Sequence, residues 1–188
     1  MRIQAARCAL AFLLLAAVVR CVADEASLLA NGAFAADLSG WQKAGAATWT
    51  SYDRYGAANS GSAYVSNTSA GANTRVPVLR QCIPVTQRGV FLFGASSYVP
   101  ATAVQGNLVA STIAHLSNDC SGGGNASGIF LPSVDAWQDY SSSINVMYVP
   151  GSIELTLSVD KTDAGATFAG YFDAVYLIDD TLFSGDFE

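Results

Sequence analysis

The chain is poor in most of what catalysis and nucleic-acid binding require. It has one histidine, His115, and nine Lys and Arg against 15 Asp and Glu in 188 residues. Arg2, Arg7 and Arg20 precede residue 24, so residues 24–188 hold six basic and 15 acidic groups, a formal charge of −9. A surface of that sign repels a phosphate backbone and argues against nucleic acid as a partner. A Ser-His-Asp device would have to use His115, which sits inside an apolar run with no GxSxG segment in the chain. Glycoside hydrolysis needs two facing carboxyl groups. Glu154 is the only glutamate away from the ends of residues 24–188, and Asp179-Asp180 are neighbours that a strand would point to opposite faces. The expectation is a protein that is not an enzyme.

Long apolar runs are missing too. Residues 8–19 form a 12-residue apolar stretch, short of the ~20 residues that span a bilayer. Basic residues precede it and Cys21-Val22-Ala23 follow, so residues 1–23 read as a signal peptide cleaved before Asp24. Export to a secreted, periplasmic or extracellular location is expected, with no membrane span. Only Cys82 and Cys120 then remain, with no CxxC spacing and no histidine close in sequence. In an exported chain such a pair points to a disulfide rather than zinc.

What is present is alternation. In Ser152–Val159, Ile153, Leu155, Leu157 and Val159 alternate with Glu154, Thr156 and Ser158, the pattern of a half-buried strand. Residues 107–116 are apolar on both faces and read as a central strand; residues 90–99 and 144–149 are further β-rich runs. Glycines at 71, 89, 106, 122–124, 151 and 165 punctuate them. The expected fold is all-β: a β-sandwich of about nine to eleven short antiparallel strands over residues 24–180, followed by a short tail, residues 181–188.

Four phrases carry a resemblance. Asn31-Gly32-Ala33-Phe34 runs on to Gly40-Trp41; Gln81 to Val85 is followed by Gly89-Val90-Phe91; Ala136-Trp137-Gln138-Asp139-Tyr140 follows later; Phe172-Asp173-Ala174-Val175 closes the chain. In order and spacing they resemble the jelly-roll carbohydrate-binding modules that open with "NG.FE…GW" and close with "FDDV.L". The tail resembles the "F..GFE" ends of exported bacterial proteins. The resemblance implies a jelly roll and a carbohydrate partner. It also implies a structural calcium ion, held by Asp173 and by carbonyls near Asn31. Ala35 and Ala174 stand where the family often has acids, and Ca²⁺ takes six to eight oxygen ligands. Two readings therefore stay open: a charge-poor calcium site, or Asp173 as a strand-edge carboxylate without metal.

Sugar binding needs flat aromatic faces rimmed by polar groups. The richest stretch is Trp49 to Gly56, where Tyr52 and Tyr55 lie among turn formers and are expected to be exposed, with Trp49 read as a core residue of a strand. Tyr98 is a second candidate, joined by Asn107 and Glu154 if their faces coincide. Trp41 and Trp137 are expected in the core, and Phe34 and Phe172 to pack where the first and last strands meet. A monomeric, non-catalytic sugar-binding module is the leading reading. The alternative is a surface or matrix protein-interaction module, marked by a contiguous exposed apolar patch.

Overall fold

Period-two alternation resolves into ten antiparallel strands among the residues that the computed structural model describes, 27–57, 60–132 and 134–180. The expected signal peptide and the tail at 181–188 lie outside them. The strands are β1 (Gln42–Lys43), β2 (Ala46–Thr50), β3 (Ser62–Asn67), β4 (Thr74–Val85), β5 (Gly89–Tyr98), β6 (Gly106–His115), β7 (Gly124–Leu131), β8 (Gln138–Val146), β9 (Gly151–Lys161) and β10 (Phe168–Asp179). They form two five-stranded sheets, ordered β1-β4-β9-β6-β7 and β2-β3-β10-β5-β8. This is the expected sandwich.

The inward positions of both sheets make one core. From the first sheet come Leu79, Leu108, Leu131, Ile153, Leu155, Leu157 and Val159; from the second come Val65, Phe91, Phe93, Phe168, Phe172 and Leu177. Burying one such side chain contributes about 1.5–3 kcal/mol, and the alternation of β9 places four of them in a single strand.

The opening and closing phrases meet. The Gly32 carbonyl accepts the Val175 N–H at 2.8 Å, and a Cβ on Gly32 would lie 2.0 Å from the Val175 carbonyl oxygen. Only glycine permits that approach. Asn31, at φ +52°, ties the turn together: its Nδ2 donates to the carbonyls of Asp37 and Ser39, and its Oδ1 accepts the Ala35 N–H. The Trp41 Nε1 donates to the Asn31 carbonyl, and its ring sits 5.6 Å from that of Phe34. Phe34, Trp41 and Phe172 are all buried. Packing and backbone hydrogen bonds hold this motif together.

The disulfide is formed. Cys82 on β4 and Cys120 in the β6–β7 connection have Cα atoms 5.9 Å apart, and the bridge crosses β9, the strand between β4 and β6.

Candidate functional site

Aromatic rings collect on the outward face of the second sheet. Tyr171 on β10 pairs directly with Tyr64 on β3 and with Tyr98 on β5. Three tyrosines therefore stand in a row across three neighbouring strands. The next outward row is polar: Asp173 pairs with Ser96, and Ser96 with Asp139 on β8. Beyond it, Tyr176 lies against Gly94, where a Cβ would approach the Tyr176 hydroxyl to 2.6 Å.

Two side chains from outside the strands complete the cluster. The segment joining β2 to β3 brings Tyr52 over the row, with ring centroids 5.4 Å from Tyr98 and 5.1 Å from Tyr171. Trp137, just before β8, stacks on Tyr52 at 5.8 Å and 29° and lies 5.7 Å from Tyr98. Pairs of this kind are worth about 0.5–1.5 kcal/mol beyond area burial. Tyr52, Tyr98, Trp137 and Tyr171 all touch one another and Tyr64 adjoins Tyr171, so the five rings form a packed platform. Its outer surface stays open: Tyr52 and Tyr64 are 44% and 36% exposed. The Trp137 Nε1 is buried and has no hydrogen-bond partner.

The connection holding Tyr52 is pinned at both levels. Asp53 accepts the N–H groups of Gly56 and Ala57. Burial pushes its carboxyl up, but hydrogen bonds from Ser60, Gly56, Ala57 and Tyr55 outweigh that and hold it below 3.8. The Arg54 N–H donates to Asp173 Oδ2 at 3.2 Å, and its guanidinium pairs with Ser96 and Asp139. At the rim, the Tyr98 hydroxyl donates to Asp135 at 2.9 Å. That hydrogen bond, with further contributions from burial and from Tyr52, pushes the phenol up to about 12.

The structure sorts the sequence candidates. It brings Tyr52 and Tyr98 into contact, while the Tyr55 ring lies 5.1 Å from the Arg54 guanidinium. Glu154 and Asn107 belong to the other sheet, on β9 and β6, so neither shares a face with Tyr98. Glu154 pairs with Cys82 and Ile113 there and accepts a hydrogen bond from the Thr156 hydroxyl. Two ring assignments are corrected. Trp137 is half-buried in the platform rather than in the core, because it precedes the edge strand β8 and meets Tyr52 outside the sandwich. Trp49 is 37% exposed at the edge strand β2, its indole N–H donating to the Phe34 carbonyl. Sequence reasoning missed Tyr64, Tyr171 and Arg54 as site residues. Their outward parity in β-rich runs was the available signal for the tyrosines.

The residues expected at a calcium site make contacts within the protein. Asp173 is buried and accepts the N–H groups of Arg54 and Ala174, while the Asn31 side chain spans its own turn. Among the described residues no three His, Cys, Asp or Glu side chains cluster to hold a metal ion. His115 is buried, with Nδ1 3.0 Å from the Gly122 carbonyl.

No protein-family model matches the sequence, and no curated protein matches it. Solved structures do. A family 16 carbohydrate-binding module aligns at a TM-score of 0.56 and 15% identity, over 81% of this chain and 99% of that one. TmCBM61, solved in complex with β-1,4-galactotriose, aligns at 0.54 and 16% identity, over 81% and 98%. The chain has the fold of the carbohydrate-binding modules. The enzymatically active domain of tailspike protein 4 from bacteriophage CBA120 aligns at 0.58 and 18% identity, over 81% of this chain. This chain spans only 21% of that one, so the match there is to one part of a much larger protein.

Proposed function

We propose that the protein is an exported, non-catalytic module that binds a poly- or oligosaccharide on the outward face of the second sheet. The observation that carries this reading is the platform of Tyr52, Tyr64, Tyr98, Trp137 and Tyr171 with the exposed carboxylates of Asp135 and Asp139 at its rim. Aromatic rings offer apolar faces to the C–H side of a pyranose, and hydroxyls and carboxylates at the rim accept or donate to its hydroxyls. Two structures of the same fold support it: TmCBM61 was solved with a galactotriose, and the module from Paenibacillus barcinonensis is a xylan-binding domain with a TM-score of 0.50. A disulfide in a module of this fold supports an oxidising, extracellular setting.

Affinity electrophoresis of residues 24–188 through a panel of neutral polysaccharides tests the reading, run with calcium and with chelator. Retardation by one glycan class, abolished by Tyr52→Ala in protein that remains folded by circular dichroism, is the expected result. Loss of retardation in chelator supports a calcium site at Asp173 and Asn31.

A second reading, a protein-interaction module, is favoured by a different feature. Leu116, Met147 and Tyr148 are all more than half exposed beside a cleft of about 340 Å³ at one end of the sandwich. Binding to no glycan in a broad panel shifts the assignment there.

A further inference from the structure

The cleft at one end of the sandwich is lined by Ala114, His115 and Leu116 at the close of β6 and by Val146, Met147 and Tyr148 at the close of β8. Three of these, Leu116, Met147 and Tyr148, are more than half exposed. Among the described residues that line the cleft there is no Lys, Arg, Asp or Glu. Such a surface is stabilised by an apolar cover and holds no charge to recruit an ionic one.

The chain itself delivers a cover to the same end. β10 and β8 both pair antiparallel with β5, so they run parallel to one another and finish together. Asp179 at the end of β10 pairs with Phe91, and Phe91 with Ile144 on β8. Two strand spacings, about 10 Å, therefore separate Asp179 from Ile144, and Val146 lies about 7 Å further along β8. The direct distance from Asp179 to the cleft is thus about 12 Å. Directly after the last described residue, Asp180, come Thr181-Leu182-Phe183-Ser184-Gly185-Asp186-Phe187-Glu188. Leu182, Phe183 and Phe187 make this segment apolar, and it carries no basic residue. An extended chain covers about 3.3 Å per residue, so Phe183 reaches about 10 Å beyond Asp180 and Phe187 about 23 Å. The two rings bracket the distance to the cleft.

We propose that residues 182–187 fold back over this cleft, with Phe183 and Phe187 lying against Leu116, Met147 and Tyr148. A tethered segment of this length presents its rings at millimolar effective concentration, which a free partner of equal contact affinity has to exceed. The inference is independent of sugar binding. Tyr171 of the platform lies near the start of β10, eight residues before Asp179, so platform and cleft sit at opposite ends of that strand. It goes beyond the protein-interaction reading as well, because an external partner at the cleft must first displace the segment.

Met147 reports on the cleft, being the only methionine after residue 23. The test labels the methionine methyl of residues 24–188 with carbon-13 and compares the wild type with Phe183→Ser/Phe187→Ser. The wild-type Met147 methyl is expected to resonate upfield under the aromatic rings and to return towards the free-methionine position in the variant. Fluorescence of an apolar dye such as anilinonaphthalene sulfonate is expected to rise at least twofold in the variant, as the cleft is uncovered. A Met147 resonance and dye signal identical in the two proteins would overturn the proposal. A wild-type shift that disappears on dilution overturns it too, because the cover would then come from a second copy. Should the variant not fold, Overhauser contacts from the wild-type Met147 methyl decide: contacts to Phe183 or Phe187 are expected, and their absence sinks the idea.

Discussion

Tyr98 shows how one residue's environment can be read as a titration. Its hydroxyl donates to Asp135, whose backbone turns at φ +54° and whose N–H is held by the Val99 carbonyl. A carboxylate accepting from a phenol stabilises the protonated phenol and opposes a second negative charge beside it. Tyr98 is therefore expected to ionise near pH 12 rather than near 10. The folded value lies above the unfolded one, so this contribution to stability is complete below pH 10 and is lost as pH rises towards 12. Replacing Asp135 by Asn removes the charge. Ultraviolet titration of Asp135→Asn should then show one tyrosine moving back towards 10, and an unchanged titration curve would exclude the assignment. Trp41 and Phe34, by contrast, have packing roles that a residue-by-residue reading could reach. A large ring after an Asn-Gly turn needs a buried place, and Phe172 and Val175 provide the neighbouring strand.

At the scale of elements, the strands were legible and their partners were not. The run at residues 152–159 lies within β9, 107–116 overlaps β6, 90–99 overlaps β5 and 144–149 overlaps β8. Alternation is local and survives any tertiary context that buries one face. Pairing is not local: Tyr171 meets Tyr64 and Tyr98 across separations of about a hundred and about seventy residues, and nothing in a single sequence chooses among strands of equal parity. The disulfide acts at this scale too. It links β4 to the connection after β6 and closes a loop of 38 residues. The loop-entropy model assigns such a closure about 3–4 kcal/mol. Cys82→Ala/Cys120→Ala is thus expected to lower the unfolding free energy in urea by that amount, with a larger m-value because the uncrosslinked unfolded chain expands, and with glycan binding by the folded fraction retained. The bridge lies on the first sheet and the platform on the second, so loss of binding in the folded variant would contradict this separation.

For the whole molecule, the acidic balance and the held carboxylates act together. Asp37 is pulled below its usual 3.8 by the Ser39 hydroxyl and N–H, Asp119 by the Ser121 and Ser117 hydroxyls and the Ser121 N–H, and Asp53 by the bonds of its own turn. Each folded value lies below the unfolded one. Their stabilisation is present above about pH 4 and is lost as pH falls through the folded values, because the unfolded chain takes up protons first. Urea midpoints should therefore hold from pH 7 to pH 5 and drop by pH 3. A midpoint unchanged at pH 3 would show that these turns do not govern stability. Both sheets share the core, so the loss is expected as one transition, with platform fluorescence and β-sheet ellipticity falling together.

The sequence alone determined that the chain is an all-β sandwich, that Cys82 and Cys120 pair, and that the opening and closing phrases belong together. These rest on period-two burial, on the absence of other cysteines after residue 23, and on glycine and aromatic positions with only one economical use. It also singled out Tyr52, Tyr55 and Tyr98. Tertiary structure decided which faces coincide: it joined Tyr64, Tyr171 and Trp137 to Tyr52 and Tyr98, paired Arg54 with Ser96 and Asp139, and put Glu154 and Asn107 on the opposite sheet. The physical reason is that alternation fixes which side chains point out of a strand, whereas membership of a sheet depends on hydrogen-bonded partners far away in the chain.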